Sequence, residues 1–467
     1  MIATRFAAAV ALLSSIAVIG CVKGPNYSRP PVAMPEAFRA PPVVGQPGDT
    51  PSLGDTKWWE VFQDDELQSL IRAALERNYD ARIAAARVLE AQAQAGIVHA
   101  DQLPSVSAGA AILGQRFPAA LFGSTRNVGA GELSASAFWE LDFWGRLRRA
   151  TEAARAQLLA TEWGRRAVIT TLISRLADAY FTLRTLDLQL EITTRTLDSR
   201  QESLRLTEVR ERGGATSLLD VRQAEQLVYG AKAEIVNLER AIDEQENLIR
   251  VLVGDWPSGV TRGRPLTDQP RPGEVPAGLP SALLERRPDI LQAEQQLAAA
   301  NAQIGVAKAA YFPQITLTGS GGVESAALSS LFAGPSVIWS AALGAVQPVF
   351  TGGRLRSQVE LAEARYQEAL LTYERTIQYA FREVSDALVG YRKARELRAE
   401  EELLVSSARD ARRLADVRYE GGATSYLEVL DADSRLFIAE LALAQAQLGE
   451  LADLVDIYRA LGGGWQP

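Results

Sequence analysis

The sequence predicts an α+β membrane protein in which long α-helices form coiled coils and are joined to short β-hairpins of membrane-spanning length. Three observations carry this prediction. The chain is internally duplicated. Each copy holds a pair of strands with alternating apolar residues. Behind each pair lies an unusually long helical run without proline.

The duplication is read directly from the residues. Arg77-Asn78-Tyr79-Asp80 faces Arg286-Arg287-Pro288-Asp289, Gly96 faces Gly305, and Pro104 faces Pro313, all at one offset. Farther on, Leu206 to Val221 faces Leu414 to Val429, and ten of the sixteen pairs are identical. Chance helical similarity would not keep Gly-Gly-Ala-Thr-Ser in register with its flanks. A chain of 467 residues would otherwise suggest about three domains, but two copies of one unit replace that prior. The expected boundaries are 65–254 and 284–461, with a Pro/Gly-rich linker at 255–283 and a tail at 462–467.

Each copy has the same expected order of elements. A helix from about Asp65 to Ala100 stops before Pro104. Val106, Ala108, Ala110 and Ile112 then alternate over a strand at 105–115. After a loop at 117–127, Leu133, Ala135, Ala137, Trp139, Leu141 and Phe143 share one face of a second strand. The second copy gives a helix at 284–311, a strand from Gln314, and a strand ending near Phe350 with Val337, Trp339, Ala341, Leu343 and Ala345 on one face. A transmembrane strand needs about 9–11 residues, and these runs suffice.

The long runs, Leu147 to Glu211 and Leu355 to Glu420, are rich in helix formers, with apolar residues at three-and-four spacing. At about 1.5 Å per residue each extends on the order of 100 Å, which suits a coiled-coil wall. Gly213-Gly214 and Gly421-Gly422 permit the left-handed backbone that ends a helix. Thr216 or Ser217, and Thr424 or Ser425, are placed to cap return helices at 217–253 and 425–461.

Composition narrows the function. One His, one Cys and two Met leave few tools for catalysis or metal binding. The reading is of a non-enzyme with no cofactor and no metal. A net charge of −8 argues against a nucleic-acid binder. His99 reads as a surface residue. Trp139 and Trp339 read equally as an interfacial aromatic girdle or as packing residues. Arg146, Arg148 and Arg149 are expected just below the strands.

The N-terminus reads as a signal peptide at 1–20. Phe6 to Val18 is apolar but short for a bilayer span. Val18-Ile19-Gly20-Cys21 resembles the lipobox of bacterial lipoproteins, in which the cysteine carries lipid. Cys21 is the only cysteine, so an internal disulfide is excluded. The prolines of segment 21–64 keep it extended, as a tether laid along the body. No run of eighteen uninterrupted apolar residues follows.

Together these residues resemble the TolC-type outer-membrane efflux factor family, in its lipoprotein branch serving RND pumps. The resemblance rests on the lipobox, Gly24-Pro25-Asn26-Tyr27, Trp58-Trp59, Leu103-Pro104 and Phe312-Pro313. It also rests on Phe143-Trp144-Gly145-Arg146, Phe350-Thr351-Gly352-Gly353-Arg354 and the two Gly-Gly-Ala-Thr-Ser turns. It implies a homotrimer closing one twelve-stranded transmembrane β-barrel, four strands per chain, above a helical periplasmic barrel. It implies an outer-membrane channel, bound to outer-membrane lipid and to lipid on Cys21, that conducts drugs or small solutes passively. The implied partners are a periplasmic adaptor and an inner-membrane RND-type pump.

The resemblance also assigns residues. Tyr419 matches a tip tyrosine that bonds to a carboxylate matching Asp220. Glu428 and Asp431 match the acidic pair that rings the periplasmic aperture. In a trimer six carboxylates would raise one another's pKa and favour cations. Thr424 stands where the family has an arginine. Gly213, Gly214, Thr216, Gly421, Gly422 and Thr424 form the tips to which the adaptor docks. The alternatives are a duct for type I protein secretion or heavy-metal efflux, and a coiled-coil scaffold without a pore.

Overall fold

A computed structural model describes residues 22–35, 38, 52–117, 126–272, 275 and 280–465. Cys21 and the apolar run before it lie outside the described residues. Naming the elements longer than one turn, α1 is Asp65–Arg77, α2 Tyr79–Ala100, β1 Ser105–Phe117 and β2 Arg126–Leu141. The very long α3, Arg146–Arg212, and the return helix α4, Leu218–Val253, follow. The second half runs α5 Pro288–Ala309, β3 Gln314–Ser325, β4 Val337–Val346, α6 Arg354–Glu420 and α7 Tyr426–Ala460.

The single helix expected at 65–100 is two helices. Asn78 breaks it with an extended backbone, φ −56° and ψ 132°. Its side chain caps the second helix by accepting from Ala81 N at 3.0 Å, and its amide donates to Leu252 O at 2.8 Å. The second half breaks in the same place. Arg287 is extended, φ −75° and ψ 119°, ahead of Pro288, which disfavours the α-region for the residue before it. Strand β2 begins at Arg126, earlier than the alternation suggested.

The chain packs as two compact units, and each draws on both halves of the sequence. One comprises the described residues of 22–31, 87–162 and 292–374; the other those of 32–86, 163–291 and 375–465. In the first, the strands form one antiparallel sheet in the order β1-β2-β3-β4. The register keeps one face apolar: Ala110, Leu133, Val323 and Val337 lie in one cross-strand row, and Trp139, Leu317 and Leu343 in another. This face is open, with Val106, Ile112, Leu343 and Trp339 exposed, the last at 80%. The opposite face is polar. Ser107, Ser136, Ser320 and Ser340 form a row across all four strands, with hydroxyl pairs at 2.9 Å and 2.8 Å. An exposed apolar face behind a hydroxyl-lined one reverses the pattern of a soluble sheet and matches a wall between lipid and water.

An N-terminal strap docks in the same unit. Lys23 N donates to Trp144 O at 3.1 Å, Asn301 donates to Pro25 O at 3.0 Å, and Arg29 holds Glu294 through two bonds of 2.8 and 2.6 Å. Arg149 donates to Asn26 at 2.7 Å and pairs with Glu152, while Arg146 and Arg148 pair with Glu140 and Asp142. Gly24, at φ +90°, lies so close to Gly305 that a Cβ would sit 2.5 Å from its Cα.

The other unit holds the larger core. Leu67, Ile71, Leu176, Tyr180, Leu183, Ile249, Val455 and Tyr458 are packed together. Segment 255–272 adds Val260 and Leu266 to that core. Buried Asp64 organises it. Its carboxylate caps α1 and accepts from Tyr180 Oη, Arg264 N and Gln269 Nε2 at 3.1, 2.8 and 2.8 Å. Among the described residues no helix is long and apolar enough to cross a membrane.

Candidate functional site: the helix turns and the seam behind them

The two turns that join α3 to α4 and α6 to α7 belong to the second unit. Both end their long helix in the same way. Gly214 and Gly422 take φ +72° and +73°. Ala215 N donates to Arg210 O, and Ala423 N to Arg418 O, each at 2.8 Å. Gly214 N reaches Glu211 O, and Gly422 N reaches Tyr419 O. These are the two bonds of a Schellman turn, which satisfies carbonyls at the helix end and needs a left-handed residue where glycine costs least. Gly213 and Gly421 precede it as the last near-helical residues, each N–H reaching back to Val209 O or Val417 O at 3.1 Å.

The return helices start differently. Ser217 caps α4 in a reciprocal box: its hydroxyl accepts from Asp220 N, and its own N–H donates to the Asp220 carboxylate at 3.1 Å. The Thr216 and Ser217 hydroxyls donate to the same carboxylate. The Thr216 bond is the main cause that holds Asp220 below the usual carboxylate range. Ser425 occupies the cap of α7 without a side-chain bond. Glu428 turns outward to Arg418 at 3.2 Å and accepts from Thr424. Asp431 pairs with Arg435 at 2.7 Å. The side chains of Glu428 and Asp431 stay 42% and 60% exposed, each with its own arginine.

Tyr419 and Asp220 are not bonded in this structure. The Tyr419 hydroxyl is buried with no hydrogen-bond partner. Its ring packs 5.2 Å from Tyr426 and lies under the Arg210 guanidinium at 4.4 Å. Tyr426, Val429, Leu430, Ala224 and Ala415 form a small apolar core beside it.

Behind this core lies a seam that the sequence reading did not single out. Asp433 and Glu440 stand seven residues apart on α7. Asp433 Oδ2 accepts from Arg200 of α3 at 2.8 Å, and Oδ1 accepts from Arg412 of α6 at 3.3 Å. Glu440 repeats this with Arg195 of α3 at 2.7 Å and Arg409 of α6 at 3.0 Å. Arg200 also donates to Leu227 O and lies over the Phe437 ring. Arg200, Asp433 and Glu440 are 7%, 8% and 8% exposed. Burial acts to lower the pKa of the Arg412 guanidinium, but its bonds to Asp416 and Asp433 outweigh that and raise it. The available signal was heptad spacing: Tyr426, Asp433, Glu440, Gln447 and Leu454 fall seven apart, with acids at positions a coiled coil fills with apolar residues.

Nothing in this arrangement resembles a nucleophile and base. Among the described residues no group of three or more His, Cys, Asp or Glu could hold a metal ion. It is a set of helix ends and interhelical ion pairs.

Comparison with known proteins agrees with that description. The family model for outer membrane efflux proteins matches residues 70–255 and again 279–463. The solvent efflux pump outer membrane protein SrpC of Pseudomonas putida is 39% identical over 452 residues, 96% of each chain. The cation efflux system protein CusC of Escherichia coli O6:H1 is 33% identical over 452 residues, 97% of each. The crystal structure of the open state of the Neisseria gonorrhoeae MtrE outer membrane channel superposes with a TM-score of 0.86 at 32% identity, covering 96% of this chain and 99% of that one. A strand-bearing unit with an apolar outer face, a helical unit with paired turns, and these matches over nearly the whole chain place it among channels: it belongs to the outer membrane efflux protein family, as an outer-membrane channel component of an efflux system with a large periplasmic helical part.

Proposed function

We propose that the protein acts as a homotrimer that closes a twelve-stranded barrel and passively conducts small solutes out of the cell. The observation that carries this reading is the open sheet. β1 and β4 each have one edge without a partner strand among the described residues. Unpaired backbone groups in hydrocarbon cost several kcal/mol each, so such a sheet must close with further copies. A periplasmic adaptor docks at Gly213, Gly214, Thr216, Gly421, Gly422 and Thr424, and an RND-type inner-membrane pump supplies the cargo. The cargo is a drug or another small organic solute, in keeping with the solvent efflux pump protein SrpC; cation efflux, in keeping with the cation efflux system protein CusC, is the second reading. Lipid on Cys21 anchors the N-terminus. The docked strap supports this, because it fixes Lys23 beside Trp144, shortly after β2.

The gate in this reading comprises Asp220, Tyr419, Glu428 and Asp431 at the two turns. The unpartnered Tyr419 hydroxyl leaves a donor free for a carboxylate of the neighbouring turn. The test is reconstitution. The protein should be recovered from outer-membrane fractions as a heat-modifiable trimer and conduct ions in planar bilayers. Combining Tyr419→Phe with Asp220→Ala should raise single-channel conductance. A monomer that never forms pores would overturn the proposal, and a pore-forming trimer with unchanged conductance in the double variant would overturn the interlock alone.

A further inference from the structure

We propose that Asp433 and Glu440 are positioning residues of the gate, which hold the second copy's helix pair, α6 and α7, against the first copy's α3 through links that release on one side only. The inference rests on the reading that the helix turns gate conduction.

The turn acids named above are satisfied within their own copy. Asp220 is held by Thr216 and Ser217, Glu428 by Arg418 and Thr424, and Asp431 by Arg435. In the part of the bundle nearest the turns, the ion pairs that cross from one copy to the other among the described residues are Arg200–Asp433 and Arg195–Glu440. Any displacement of the α6 and α7 pair from α3 must break them.

The division of oxygens makes that break reversible. Each carboxylate gives one oxygen to an arginine of α3 and the other to an arginine of α6. If α6 and α7 move together, Asp433 keeps Arg412 and Glu440 keeps Arg409. Neither acid is left buried without a cation, which is the costly outcome when a buried pair is broken outright. The released groups are guanidiniums, which remain charged and can be hydrated from a water-filled duct. The two rungs differ in strength. Arg200 is buried, whereas the Arg195 side chain is 59% exposed, and exposed pairs contribute little. The Arg200–Asp433 rung therefore dominates, and it is the one nearer the turns.

The test compares two deletions that remove one arginine each from the same carboxylate. Arg200→Met cuts the link between copies. Arg412→Met cuts the link within the second copy. Both variants are made in the full chain and read in planar bilayers, with trimer mobility and helical circular dichroism as controls. Arg200→Met should raise time-averaged conductance severalfold, whereas Arg412→Met, which leaves Asp433 without a cation once α3 lets go, should not raise it and should lower it. Equal conductance changes in the two variants would overturn the proposal, because they would show support of the fold rather than one-sided release. Should Arg200→Met fail to assemble, Arg195→Gln on the exposed rung carries the same prediction, with a smaller rise against Arg409→Gln. If Tyr419→Phe with Asp220→Ala opens the channel but neither α3 variant does, the seam is not part of the gate although the gate stands. If all variants conduct like wild type, gating at the turns itself fails.

Discussion

The two helix turns share five residues in register and the same Schellman geometry, yet they begin their return helices differently. The first turn is self-contained: Asp220 closes a capping box with Ser217 and takes a further bond from Thr216. In the second, Glu428 is one methylene longer and leaves the Ser425 cap without a side-chain bond, reaching Arg418 of the preceding long helix instead. A duplicated element has kept its backbone solution and diverged in where its carboxylate points. The first turn is built to stay formed. The second is held by exposed contacts that exchange at low cost.

The comparison can be broken or sharpened in graded steps. The largest effect should come from the position the turns share. Gly214→Val or Gly422→Val forces a β-branched residue into the left-handed region, at a cost of ~1–2 kcal/mol or more in each turn. Hydrogen exchange of the amides around 213–221 and 421–429 should accelerate in the substituted turn. Equal protection in variant and parent would refute the left-handed assignment.

The next effect should separate the turns. Asp220→Ala removes the N3 half of the capping box, leaving the Ser217 cap, and should cost up to ~1 kcal/mol of local stability, seen as faster exchange at the start of α4. Glu428→Ala should barely change exchange at the start of α7, where no box exists. Similar losses at both ends would show that the caps are equivalent. Smaller still is a gain of ~0.5–1 kcal/mol: Glu428→Asp shortens the side chain to the length that closes the box with Ser425. It should slow exchange at the start of α7 and lower conductance.

A separate effect, away from the turns, is set by pH. Asp178 is pushed up to about 7 by burial, with Asp456 adding to the shift and Arg459 opposing it. Asp453 is pushed up to about 6 by burial and by Asp456. Both bind protons more tightly when folded than the ordinary value of 3.8. The stability they favour is complete below that value and is lost as pH rises through about 6 to 7. Asp220 has the opposite sign. Its folded pKa is depressed, so its contribution is present at neutral pH and lost only in acid. Raising pH from 5 to 8 should therefore loosen exchange around Asp178 and leave the first turn unchanged, and Asp178→Asn should flatten the dependence. A pH effect centred on the first turn would reverse this assignment.

The comparison also shows what the sequence made legible. The long helices, the turns at Gly213-Gly214 and Gly421-Gly422, and the strands were readable because glycine conformation, proline exclusion and period-two alternation act locally. The break at Asn78 was hidden because one side chain both caps α2 and bonds to Leu252, a contact 174 residues away. Its counterpart at Arg287 carried a local signal in Pro288, although the helix expected at 284–311 ran through it. The four arginines of the seam could not be picked from sequence, because dozens of charges decorate these helices and only packing decides which of them meet a buried acid. The acids Asp433 and Glu440 stand at heptad spacing on α7, a pattern the sequence reading did not single out. Tyr419 and Asp220 were paired by resemblance, whereas in this structure Asp220 is committed to its own cap.

The most direct test of the account is single-channel recording of Asp220→Ala and Glu428→Ala side by side in planar bilayers. The account predicts a rise in time-averaged conductance in both, larger for Asp220→Ala, because it opens a closed capping box whereas Glu428→Ala removes only exposed, exchangeable contacts. Unchanged conductance in both, or the larger rise in Glu428→Ala, would contradict it.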